Sequence, residues 1–308
     1  MKEIIDLSKE LQILRNNPIL ILDLKDVRKS DLLKVHKLLY CKKYDALDVI
    51  LQTPGGDIDA AFSYAKLLKK CTNEINIIVP LYAKSAGTLI CLVADRILMT
   101  DLSELGPLDT QIRENQEGDT PEYNSALNGF KALEQVQQHT IETLDIVTKL
   151  ILSRSGLKMS EAIHLATEFA GHTSGTLYSQ LNPIRIGEYA RALEIGETYG
   201  KIILTRYRGW NEPKADSLIK TLVYQYPSHG FIVDYEELEK LGLPAELVDI
   251  KVADILFSLR EILIKTRNTF IELIDIQIVP EAKDGDGKTT IKEPKQSYKG
   301  KAPLKPRK

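Results

Sequence analysis

The chain has 308 residues, 43% hydrophobic and 27% charged, an ordinary balance for a protein that buries a core. Wholesale disorder, a collagen repeat and a disulfide scaffold are excluded, and a formal charge of −2, from 41 Lys and Arg against 43 Asp and Glu, gives no reason to expect nucleic-acid binding. That near-neutrality is a cancellation: residues 281–308 hold nine Lys or Arg against four Asp or Glu, leaving about −7 on the preceding 280 residues.

In chain order, MKEIIDLSKELQILRNN alternates charged and apolar residues without the apolar centre of a signal peptide. Pro18 to Leu24 reads as a short buried strand, and Ser30 to Lys42 as a helix. Ala46 to Gln52 is a second strand, running into Thr53-Pro54-Gly55-Gly56-Asp57. A helix from Asp57 to Lys70 follows, with Ile58, Ala61, Tyr64, Ala65 and Leu68 at helical spacing. Glu74 to Pro80 is a third strand. After Tyr82-Ala83-Lys84, the small residues Ser85-Ala86-Gly87-Thr88 open an apolar helix ending near Ala94. Arg96 to Thr100 is a fourth strand, leading into Glu104-Leu105-Gly106-Pro107-Leu108-Asp109. The most apolar stretch, Ile75 to Met99, contains Lys84, Asp95 and Arg96, so no membrane span is expected. Strand and helix alternating in this way predict an α/β fold with a parallel-sheet core and crossover helices.

Residues 113–122 read as an exposed loop and Ser125 to Ser153 as one long helix, with Gly156 placed to stop it. The second half reads as mostly helical, with helices near 159–170, 187–195, 212–225, 234–241 and 252–274. One domain over 1–275 is expected, a core of about 17–170 with a helical extension of about 171–275. Residues 276–308 form a flexible basic tail, either solubilising or a docking segment for an acidic protein partner. Cys41, Cys71 and Cys91 lack CxxC spacing and fit reduced thiols in a cytoplasmic protein.

Chemistry is most concentrated where two predicted strands end. Gly55-Gly56 alone is a tight turn, but adjacent glycines also let a backbone N–H approach a substrate oxygen, and a helix N-terminus favours the charge of an oxyanion. Ser85 alone is a helix N-cap, yet Ala83 and Gly87 flank it at the spacing of a relaxed G-x-S-x-G nucleophile elbow. Both turns sit at carboxyl ends of predicted parallel strands, where open α/β sheets hold ligands.

Taken together, LQTPGGDIDAAFSYAKLLK, VPLYAKSAGTLICLVADRILM and SELGPLDTQI resemble the Clp-fold serine peptidases. Within them the match is to the serine dehydrogenase proteinase (SDH) family, related to signal peptide peptidase A. The resemblance covers about residues 17–112 closely and implies a ClpP/crotonase-like fold. It also implies Ser85 as nucleophile, an oxyanion hole from the N–H groups of Gly55 or Gly56 and of Ala86, a peptide or protein substrate, and a homo-oligomer.

A histidine about 25 residues after the serine, as in ClpP-type enzymes, is missing, the next one being His139. Relatives similar to signal peptide peptidase use a Ser-Lys dyad instead, and by that resemblance Lys149, between Ile146-Val147 and Leu150-Ile151, is the expected base. Desolvation by such neighbours would depress a lysine's pKa. Lys131, Lys84 and His139 stand behind it. A His-Asp pair that relatives carry before a Pro-Ile is Leu181-Asn182 here, and His229 is the histidine that could compensate. No zinc spacing, Walker A or GxGxxG motif is found, so no metal or cofactor is expected, and an unfolding ATPase would be a separate partner. Two alternatives stand beside the peptidase: a crotonase-like acyl-CoA enzyme with Glu104 as base, and an inactive scaffold binding partners through residues 252–274 and the tail.

Overall fold

The computed structural model describes residues 2–108, 111–114 and 122–276. The expected basic tail and most of the loop at 113–122 lie outside them. The chain begins with α1 (Lys2–Arg15), β1 (Ile19–Asp23), α2 (Lys29–Leu39), β2 (Tyr44–Gln52), α3 (Ile58–Cys71) and β3 (Thr72–Val79). The short β4 (Tyr82–Ala83) then leads into α4 (Ala86–Cys91), β5 (Arg96–Met99) and β6 (Glu104–Leu105). An antiparallel pair, β7 (Gln111–Glu114) and β8 (Glu122–Ser125), precedes α5 (Ala126–Arg154) and α6 (Met159–Tyr178). Next come α7 (Pro183–Ile202) and α8 (Glu212–Lys220), each running on into one π-helical turn, then α9 (Tyr235–Lys240), β9 (Ala245–Leu247), α10 (Ile250–Lys265) and β10 (Phe270–Ile274).

The main sheet has the order β10-β1-β2-β3-β5-β9, parallel throughout except for β10, which runs antiparallel to β1. Because side chains alternate across a strand, β1 serves two cores. Leu20 and Leu22 join the larger one with Val35 of α2 and Tyr64 and Leu68 of α3, whereas Ile19 and Ile21 join a second with Leu11 of α1 and Leu256 and Leu259 of α10. Burial on both faces is why β1 reads ILILD rather than as an apolar-polar alternation. The expected ClpP-like α/β core is therefore present, with crossover helices in the expected places.

Two elements depart from the sequence reading. The N-terminal segment forms α1, which covers the second core. The helix expected over 252–274 stops at Lys265, and Phe270–Ile274 is a strand. Thr266 is extended and, after Arg267, is followed by Asn268-Thr269, poor helix formers, after which Phe-Ile-Glu-Leu-Ile suits a pleated edge. Without β10 the row of N–H and C=O groups along β1 would be open. The mostly helical second half thus contributes both edges of the sheet, β9 and β10, and a division near residue 170 does not coincide with the sheet.

Among the described residues no helix is long and apolar enough to cross a membrane, and no three His, Cys, Asp or Glu side chains gather as a metal site. Cys41 is exposed and Cys71 and Cys91 are buried, all unbridged, and burial pushes the Cys91 thiol up.

Candidate active site

Two turns meet at the carboxyl ends of β2 and β3. Just past β2, Thr53 pairs in parallel with Ala83 of β4, its N–H donating to Tyr82 O at 3.1 Å and its carbonyl accepting from Lys84 N at 3.0 Å. This pairing lays the Pro-Gly-Gly turn against Ser85. A methyl group built on Gly55 would sit 3.2 Å from Ser85 Cβ and 3.7 Å from Ala86 N.

Ser85 has φ 49° and ψ −111°, a left-handed conformation rarely tolerated with a side chain, and its hydroxyl makes no capping bond to α4. Both facts separate it from an ordinary N-cap serine and fit a sharp strand-to-helix elbow that presents the hydroxyl. The small residues two positions either side have a steric cause. A Cβ on Gly87 would lie 2.6 Å from Thr53 Cγ2 and 3.2 Å from Ala83 Cβ, so α4 can start this close to β2 only with glycine there. Thr88, a residue the sequence did not single out, braces the elbow. Its Oγ1 accepts from Gly106 N at 3.1 Å and lies 2.9 and 2.8 Å from the carbonyls of Ala83 and Gly106.

The backbone donors sort themselves. Gly55 N–H is used, donating to Thr53 Oγ1 at 3.2 Å. Gly55 O accepts from Val27 N at 2.8 Å and Asp57 N donates to Val27 O at 2.9 Å, which turns the intervening Gly56 N–H away from Val27. Gly56, at φ 140°, is closed to any other residue, since a Cβ would fall 2.4 Å from Val27 N. Ala86 opens α4, so its N–H has no intrahelical acceptor. Gly56 N–H and Ala86 N–H take no part in the turn and loop hydrogen bonds of the described fold. Of the two glycines named from sequence, Gly56 is the one with a donor to give.

Lys84 is a clamp. Its ammonium is 3.1 Å from Glu104 Oε1 and donates to Leu105 O at 3.0 Å and Phe231 O at 3.5 Å. It therefore ties β6 and the 228–233 loop to the elbow, helped by the mutual backbone bonds of Leu105 and Val233 and by Tyr226 stacking on Phe231 at 4.6 Å. Glu104, the base of the acyl-CoA alternative, is spent in this ion pair. His229, half-buried, lies on the loop so anchored, two residues from the carbonyl that Lys84 holds.

The other sequence candidates lie on α5. Lys149 is 73% exposed with its ammonium 2.5 Å from Asp145, His139 is exposed, and Lys131 is half-buried. The desolvated lysine expected at 149 is thus corrected to an ion-paired surface one, because Ile146 and Leu150, which were to bury it, are themselves exposed.

Residues 20–158 match the model of the family described as ClpP-like SDH-type serine proteinase. Over this segment, under half of the chain, the protein is similar to that family. The matched segment holds the whole elbow, both glycines and all of α5, whereas the loop carrying His229 lies beyond it. The chain is 30% identical over 216 residues to the uncharacterized protein MJ0137 of Methanocaldococcus jannaschii, covering 70% of this chain and 58% of that protein. It is 35% identical over 105 residues to MJ1495 of the same organism, covering 34% of each. The chain thus spans under two thirds of the length of these relatives. Among solved structures it is similar to a Ser-to-Ala mutant of the 1510-N membrane-bound stomatin-specific protease, at 19% identity and a TM-score of 0.24, over 45% of this chain and 61% of that one.

Proposed function

We propose that this chain is a serine peptidase that opens peptide bonds through an acyl-enzyme on Ser85. The observation that carries the reading is the elbow: a serine held at positive φ, uncapped, with two unspent backbone N–H groups beside it. In this reading Ser85 Oγ attacks the substrate carbonyl carbon as its proton passes to a base. The carbonyl π electrons move onto oxygen, and that oxyanion accepts hydrogen bonds from Gly56 and Ala86. The base returns the proton to the departing amine as the C–N bond breaks, and water then hydrolyses the ester by the same steps.

The base we assign is His229 rather than Lys149. The Lys84 clamp supports this, because it docks the His229 loop on the elbow, whereas Lys149 is exposed on α5 with its ammonium turned to Asp145. The reaction is read as independent of ATP within this chain, in a cytoplasmic homo-oligomer, any unfolding ATPase being a separate protein.

A fluorophosphonate probe, which phosphonylates activated serines with loss of fluoride, tests the assignment. Wild-type protein is expected to label, Ser85→Ala to lose the label, His229→Gln to label about 100-fold more slowly or worse, and Lys149→Ala to label normally. Undiminished labelling of Ser85→Ala overturns the nucleophile, and loss in Lys149→Ala with retention in His229→Gln returns the base to Lys149.

A further inference from the structure

A cavity of about 320 Å³ opens at the amino ends of β3 and β5, between the end of α1 and the start of α10, at the opposite end of the strands from Ser85. That volume lies at the small end of the roughly 300–1,000 Å³ typical of small-molecule sites. Arg15, Glu74, Asn76, Arg96, Asp249 and Lys251 line it. Asn76 is 2% exposed, and its register neighbours are Asp48 of β2 and Arg96 of β5. Its Nδ2 donates to Asp48 Oδ1 at 2.8 Å, whereas its Oδ1 has no partner. The amide cannot be turned over, because its oxygen would then meet the Asp48 carboxylate, which only accepts. Oδ1 is therefore held on the side of Arg96, a buried acceptor that lacks the hydrogen bond such groups normally make.

The charges around that acceptor are of both signs. Arg15 is spent on Asp48 through Nε and Nη2. Arg96 is not spent: its Nε lies 3.7 Å from Glu74 and 3.8 Å from Glu246, both beyond hydrogen-bond reach. Lys251 has no ion-pair partner among the described residues. The cavity also meets the start of the 16-residue α10, where Asp249 caps Val252 N at 3.0 Å and the N–H groups of Ile250 and Lys251 have no intrahelical acceptor. Lys251, Arg96 and this helix start suit a carboxylate. Asn76 Oδ1 and Glu74 call for an N–H donor that carries positive charge. A simple anion would leave Oδ1 without an N–H and lie against Glu74 and Asp249, and a simple cation would face Arg96 and Lys251.

We infer that this cavity is a binding site for a small zwitterion of the free amino acid or dipeptide class, its carboxylate between Lys251 and Arg96 and its ammonium on Asn76 Oδ1 and Glu74. The site stands independently of Ser85 chemistry, because it lies at the other end of the sheet and its test measures binding and not turnover.

Isothermal titration calorimetry of the full chain with alanylalanine is expected to give a saturable site with Kd of about 1 mM or tighter. N-acetyl-alanylalanine, which lacks the ammonium, and alanylalanine amide, which lacks the carboxylate, should each bind about 10-fold more weakly or worse. Lys251→Glu and Glu74→Lys, at positions open to solvent, should each weaken alanylalanine by about 10-fold or more with unchanged circular dichroism, which places the binding in this cavity and not beside Ser85. Absence of saturable binding overturns the inference, as does wild-type affinity in either variant. So does equal binding of a capped peptide, or tighter binding of inorganic phosphate than of alanylalanine, which would give the cavity to a simple anion.

Discussion

At the scale of the residue, Ser85 trades stability for presentation. A side chain at its φ and ψ costs about 1–3 kcal/mol, which the Thr53–Ala83 pairing and the Thr88 brace offset. Replacing it by glycine removes the strain and adds about 0.5–1 kcal/mol of unfolded-state entropy. Ser85→Gly is therefore expected to stabilise the protein by about 1 kcal/mol, a rise of roughly 2 °C in Tm by calorimetry, while abolishing probe labelling. A fall in Tm would mean that the backbone here is not strained. The sharp strand-to-helix turn at Ser85 was legible in the sequence because an elbow needs small residues at fixed offsets within a few positions. The burial expected at Lys149 is not found, because apolar neighbours along a helix do not say whether anything covers them. The brace by Thr88 was hidden for the opposite reason, its partner Gly106 being 18 residues away.

Among the elements, the four central strands and their crossover helices could be read from apolar runs and turns, since each is bounded by local signals. The end of α10 and the start of β10 could not. Phe270–Ile274 is as apolar as the helix before it, and its identity comes from β1, about 250 residues earlier in the chain. The same long-range closure is fastened at its end by one side chain. Gln12 of α1, 2% exposed, donates to Ile276 O at 3.0 Å and accepts from Ile276 N at 3.1 Å. Gln12→Ala should destabilise by about 1–3 kcal/mol in urea denaturation, because both backbone groups of Ile276 lose a partner. It should also speed hydrogen exchange in β10 ahead of β2 and β3. Uniform acceleration across the sheet would show that β10 is not a separately opening edge.

For the whole molecule, composition suggested a core near 17–170 followed by a helical extension, but the sheet is closed on both sides by strands from beyond residue 240. A fragment of residues 1–170 is accordingly expected to aggregate or stay unfolded by circular dichroism and gel filtration. A soluble fragment with a cooperative melt would show β9 and β10 to be dispensable. The placement of these two strands also bears on how the protein is made. Synthesis runs from the N-terminus, so β1, β2, β3 and β5 leave the ribosome well before the segments that flank them. For the time taken to translate some 150 further residues, the nascent chain can assemble at most a four-stranded sheet with two open edges. Until β9 and β10 emerge, the sheet is open to pairing with other chains, an exposure set by strand order alone.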